Sequence, residues 1–236
     1  RRTHIVLWSD NQNSYDDLLG WASMLVKGEP RNVVSCLADY AESNIRKPLL
    51  VDGIWNHLKG LSFDPRQLVH DHRVVPALEK LQQLFENSIA PGLIANELIT
   101  REETQELRKA IDEEGVVILH GAAGYGKSGV LYELTDILKQ EKRPYLPIRL
   151  DRQEPRNTAR EFGLDMGLPE SPVVCLQSLL GEKTAVLILD QLDALRWTSS
   201  HSANSLGVCK DIVREARNLH GMGKAISTVL CCRTFD

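Results

Sequence analysis

The stretch "GAAGYGKSG", Gly121 to Gly129, decides the fold. Gly121, Gly126, Lys127 and Ser128 fall where the pattern GxxxxGK followed by Ser or Thr requires them, the pattern of a phosphate-binding loop. Such a loop must run from a buried strand into a helix, and both flanks are present. Val116 to Leu119 is a fully apolar strand. Val130, Leu131, Leu134, Ile137 and Leu138 form the apolar face of a helix. The glycines let the backbone curl tightly, so that several N–H groups point inward at an anion. The helix N-terminus adds partial positive charge. Gly121, Ala122, Ala123, Gly124, Tyr125, Gly126, Lys127, Ser128 and Gly129 are therefore the expected phosphate cradle. Lys127 is expected to reach the terminal phosphates and Ser128 to place its hydroxyl on Mg2+. From average residue usage, a chance match in a chain this long is on the order of one in a hundred.

Working outward, strands and helices alternate. "YLPIRL" (145–150), "AVLILD" (185–190) and "AISTVLCC" (225–232) read as further strands, with helices over 173–180 and around 207–219. That alternation implies a parallel sheet covered on both faces, an α/β P-loop NTPase sheet flanked by helices. Val186 to Leu189 run into Asp190 at the strand's C-terminal end, where ligands bind in open α/β sheets. Asp190 is expected to hold the ion with Ser128. Asp193 either polarises the attacking water or caps a helix. Residues 196–205, "RWTSSHSANS", read as a hydroxyl-rich loop, either a solvated connection or a segment that senses the phosphate.

Upstream, residues 1–95 read as a mostly helical segment and 96–236 as the core. Leu18, Ala22, Leu25 and Val26 share a helical face, as do Leu50, Ile54 and Leu58, and then Val74, Leu78, Leu81 and Phe85. His4 to Trp8 is the one strand expected there. Asp64-Pro65 reads as a helix start, and Thr100 with Glu103 as a capping box opening a helix. "HDH" (70–72) lacks an obvious third metal ligand and is read as a helix approach.

Of 236 residues, 42% are hydrophobic and 25% charged, enough apolar material for a real core. The net charge of -4 argues against a nucleic-acid surface spread over the chain. No apolar run approaches the roughly 18 residues of a membrane span. The five cysteines show no metal-ligand spacing and read as reduced thiols of a cytoplasmic protein. Cys231 and Cys232, adjacent in a strand, should face opposite ways. Both ends look cut, as in a piece of a longer polypeptide.

No guanine-reading NKxD motif and no LSGGQ-like stretch appears, which argues against a small GTPase and a transport ATPase. "YLPIRL", lying between the first strand and the Asp190 strand, fits the group in which those two strands are not neighbours. "LDQLDAL" followed by a strand ending in Arg233 resembles the STAND class of signalling ATPases, in particular its NACHT-like bacterial members. The family's second motif, roughly hhhhD-x-hD, is matched by Leu187-Ile188-Leu189-Asp190-Gln191-Leu192-Asp193. Its sensor arginine is matched by Arg233. Its element near adenine is matched by Leu98, Ile99 and Arg101, with Thr100 replacing the usual glycine. Gln191 and Ala194 also depart from the pattern; glutamine cannot be a general base, so Asp193 must help or the reaction is slow.

The resemblance spans roughly residues 98–236. It implies an ATP/ADP and Mg2+ site with Lys127, Asp190, Asp193 and Arg233 in catalytic roles. It also implies a homo-oligomer in the full-length protein, an upstream effector and downstream sensor, often in antiphage defence. The family's lid and later parts are missing from the chain. An AAA+-like ATPase acting on DNA or protein, and a non-hydrolysing nucleotide-binding scaffold, are the competing readings.

Overall fold

The structure, a computed structural model, describes residues 15, 18–20, 22, 25–45, 47–64, 71–90, 100–155, 157–180, 184–196, 202–221 and 225–234. The expected strand His4–Trp8 and the proline of the Asp64-Pro65 pair lie outside them. The chain divides into two compact units, Arg1–Gln67 and Leu68–Asp236.

The first unit is helical. Helix α1 (Pro30–Glu42) starts on a proline, whose fixed φ suits the first turn, and α2 spans Val51–Gly60. Ala22, Val26, Val33 and Leu58 form its core, with Val34, Leu37, Ile54, Trp55 and Phe63 packed around them. Leu25 and Leu50, expected on buried faces, are exposed. Leu50 precedes α2 in extended backbone, off the helical face of Ile54 and Leu58.

The second unit is α/β. It begins with α3 (Val74–Ile89) and α4 (Glu102–Glu113). Then follow β1 (Val116–Gly121), α5 (Lys127–Gln140) and β2 (Tyr145–Arg149). Helices α6 (Ala159–Asp165) and α7 (Pro172–Ser178) lead to β3 (Ala185–Asp190). A 3-10 turn (Leu192–Arg196), α8 (Ser202–Gly221) and β4 (Ile226–Arg233) complete it. All strands are parallel in the order β1-β4-β3-β2. As expected, the Asp190 strand is not beside the strand feeding the glycine loop; β4 separates them. This is the α/β sheet of a P-loop NTPase.

Strand pleating assigns alternate residues to the two faces. Val186, Ile188, Val229, Cys231 and Tyr145 pack with α3, α4 and α5 through Phe85, Ile89, Leu107, Ile111, Leu131 and Leu134. Helix α7 covers β2, β3 and β4 from the opposite face, and α8 packs on β4. Every residue of β3 is buried, which is why it reads as an unbroken apolar run. Strand β2 is an edge, so Pro147 is tolerated there. Helix α3 lies against β2, and Gln82 Nε2 donates to the Tyr145 carbonyl at 2.8 Å. Residues 74–89 thus belong to the same unit as the loop. At the other edge, β1 leaves Ile118 exposed.

Three local readings are corrected. The Thr100–Glu103 capping box does not form: α4 begins after Arg101, which makes no side-chain cap. Thr104 Oγ1 instead donates to Glu133 Oε2 on α5 at 2.6 Å, and the Arg101 backbone N–H donates to the same oxygen at 3.3 Å. Helix α8 begins at Ser202, so the end of the expected 196–205 loop is helical; residues 197–201 lie outside the described residues. Helix α6 was not foreseen, although Thr158 caps it by accepting from the Glu161 N–H at 3.1 Å.

Candidate functional site

The loop after β1 is shaped by two glycines. Gly124 and Gly126 have φ of +81° and +80°, the left-handed region that L side chains avoid. Gly126 is the residue from which α5 starts, and its carbonyl accepts from the Gly129 and Val130 N–H groups. The first turn of α5 therefore holds Lys127 and Ser128 at the helix N-terminus. Lys127 folds back over the loop, donating from Nζ to the carbonyls of Gly121 at 2.7 Å and Ala122 at 2.8 Å. Tyr125 stands out at the tip, exposed.

Arg101 joins this loop. A Cβ on Gly126 would lie 2.6 Å from the Arg101 Cζ and Nη2 atoms, so the guanidinium rests directly on the glycine. Its backbone is fixed by the Glu133 contact already described. Leu98 and Ile99, expected beside the base, lie outside the described residues.

Asp190 ends β3 fully buried, at 0% exposure. It follows Val186 and Ile188 on the sheet face packed by α5, the helix that starts at the loop. Its Oδ1 accepts from the Gln191 N–H at 2.9 Å. Its Oδ2 has no hydrogen-bond partner among the described residues. Arg149, the register partner of Asp190 on β2, has its Nε 4.0 Å from Oδ2. Burial pushes the Asp190 carboxyl above its ordinary value, opposed by the Cys231 thiol, the Arg149 charge and the Gln191 N–H. Burial likewise pushes the Cys231 thiol far up, and the Asp190 carboxylate adds to it; the Lys127 ammonium pulls the other way. Cys231 lies on β4, the strand between β1 and β3. Cys232 is less buried than Cys231, as adjacent strand residues require.

Arg149 is held in place by Asp151, at 3.0 and 2.8 Å, and by Ser88 Oγ at 3.1 Å. Neither Arg149 nor Cys231 stands in any recognised motif. Arg149 carried a weak signal, a lone cation at the end of an apolar strand. Cys231 carried none, because its role depends on which strand lies beside β4.

Asp193 and Arg233 are brought together. Asp193 lies in the 3-10 turn and is buried. Its Oδ1 accepts the Arg233 backbone N–H at 3.1 Å, and its Oδ2 lies 3.5 Å from Arg233 Nε. Gln191, with φ of +60°, accepts from Arg233 Nη2 at 3.4 Å. Arg233 is the register partner of Gly121, the first glycine of the loop.

Lys127, Arg101 and the N-terminus of α5 therefore converge on the loop, with Arg233 one strand away. This charge arrangement suits a polyanion. Among the described residues, no cluster of three or more His, Cys, Asp or Glu could hold a metal ion. The Asp71 of "HDH" pairs with Arg73 instead, at 2.6 Å, and His70 lies outside the described residues. One hydroxyl and one carboxylate with a spare oxygen fit an ion that arrives with phosphates and keeps its waters, as Mg2+ does. Ser128 and Asp190 thus fit an ion such as Mg2+.

Sheet order, loop and helix give the second unit a P-loop NTPase-like fold. No protein-family model matches the sequence, and no curated protein matches it significantly. Among the described residues, no helix is long and apolar enough to cross a membrane.

Proposed function

We propose that the chain binds ATP or ADP with Mg2+ and acts as the nucleotide switch of a STAND-type, NACHT-like signalling protein in the bacterial cytoplasm. In this reading the full-length protein oligomerises with ATP and turns on an effector in antiviral defence. The observation that carries the nucleotide site is Asp190. A fully buried carboxylate with one oxygen unpartnered is costly to keep unless a ligand uses it. It lies on the α5 face, at the same end of the sheet as the glycine loop.

The loop N–H groups and Lys127 bind the phosphates. Arg101 adds charge beside Gly126. Ser128 and Asp190 would hold Mg2+, which would supply neutralisation of charge on the phosphate oxygens. Turnover is slow, because Gln191 offers no carboxylate and Asp193 is engaged with Arg233. The sensor-arginine position of Arg233 and the hhhhD-x-hD match support the switch reading over an AAA+-like motor.

Two measurements test it. Competition binding should favour ATP over GTP; equal or better GTP affinity would overturn the base assignment and leave the phosphate site standing. Single-turnover cleavage of ATP by the 236-residue chain should be slow or absent. Fast cleavage by this chain alone, lost in Asp193→Asn, would replace the switch with a self-contained ATPase.

A further inference from the structure

The Asp193–Arg233 pair has a geometry that a water-activating base does not need. A general base must keep an oxygen free for the water. Here one oxygen takes the Arg233 backbone N–H and the other faces Arg233 Nε. Gln191 holds the far end of the same guanidinium. The left-handed backbone at Gln191, strained for a residue with a side chain, begins the turn that carries Asp193. The Ala194 N–H closes that turn on the Gln191 carbonyl at 2.9 Å.

The target of this holding is close to the loop. Arg233 pairs in register with Gly121, and the next residue, Thr234, donates its N–H to the Gly121 carbonyl at 3.2 Å. That carbonyl is one of the two that accept from Lys127 Nζ. The Asp193 carboxylate is 7% exposed while the Arg233 side chain is 48% exposed. A buried acid thus anchors a half-exposed cation at the end of β4, beside the strand that feeds the loop.

From this geometry we infer that Asp193 and Gln191 are positioning residues: they cradle Arg233 so that its guanidinium reads the terminal phosphate of a nucleoside triphosphate. The inference rests on the nucleotide-binding reading. It makes discrimination between ATP and ADP a property of three residues on two adjacent strand ends. Lys127 and Asp190, by contrast, serve both nucleotides.

The test is the ratio of ADP to ATP dissociation constants with Mg2+, measured by calorimetry on the whole chain. Arg233→Ala should lower the ATP preference about tenfold, the value of one charged hydrogen bond. Asp193→Ala should lower it about threefold or more, with ADP affinity unchanged. Asp193→Asn, which keeps an acceptor for the Arg233 N–H, should restore part of the preference. Asp193→Ala with Arg233→Ala should be no worse than Arg233→Ala alone. That double variant buries no unpaired charge, so it stands in if Arg233→Ala by itself loses ADP binding.

An unchanged ratio in Asp193→Ala or in the arginine variant overturns the inference. So does an equal loss of ATP and ADP affinity, which would mark a purely structural role. Additive effects in the double variant overturn it too. Failure of the parent chain to bind either nucleotide is a different result, and it refutes the nucleotide reading itself.

Discussion

Asp190→Asn should stabilise the nucleotide-free chain while removing its Mg2+-dependent nucleotide binding. Asp190 is fully buried, and burial raises its carboxyl above the ordinary 3.8. The folded state therefore favours the protonated acid. That contribution is fully present below the ordinary value and is lost as pH rises through the raised folded value. At pH 7 the fold carries the cost of a charge whose Oδ2 has no hydrogen-bond partner among the described residues. An unsatisfied buried polar group costs about 1–3 kcal/mol. Asparagine keeps an acceptor for the Gln191 N–H but forfeits the attraction of Arg149 at 4.0 Å. The net gain is placed at the low end, about 1 kcal/mol, or about 2–4 °C for a unit of this size. Urea denaturation without nucleotide or Mg2+ at pH 7 should show that gain, and it should shrink towards pH 4. A variant about 1 kcal/mol less stable than the parent at pH 7 would refute the reasoning, because the carboxylate would then be satisfied by the fold itself.

Two further substitutions probe the scaffold. A Cβ on Gly163 of α6 would collide with the Glu170 backbone carbonyl oxygen, and backbone gives way less readily than a side chain. Gly163→Ala should lower stability by about 3 kcal/mol, at the top of the overpacking range, read from the urea midpoint; a shift under about 0.5 kcal/mol would show that the α6–α7 turn yields. Thr104→Val removes the hydroxyl from the buried Glu133 and should cost about 1–3 kcal/mol. Amide exchange should then speed up over residues 101–104, and unchanged exchange would mean that Glu133 does not tether the segment beneath Arg101.

Much of the sheet was legible because burial writes itself into composition. The run Val186 to Leu189 is apolar on both faces of β3, and the turn to Asp190 marks its end. The glycine loop was legible because two left-handed positions demand glycine. Cross-strand relations were not. Arg149 sits beside Asp190, and Cys231 lies on the neighbouring strand, only because of the order β1-β4-β3-β2 and its register. Thr100 and Glu103 have the spacing of a local cap, yet Glu133 on α5 takes the Arg101 N–H and the Thr104 hydroxyl. The converse holds at Thr158, a real cap whose helix, only seven residues long, carries little apolar periodicity.

The central claim is that the loop at Gly121–Gly129 binds nucleotide phosphate through Lys127, whose Nζ is already held over the loop by two carbonyls at 2.7 and 2.8 Å. Calorimetric titration of the parent chain and of Lys127→Ala with Mg2+–ATP and Mg2+–ADP tests it most directly. Lys127 is partly exposed, so the substitution should leave the urea midpoint nearly unchanged. The parent should bind both nucleotides saturably, and the variant should lose about tenfold to a hundredfold or more in affinity. No binding by the parent, or equal affinity in the variant, would contradict it.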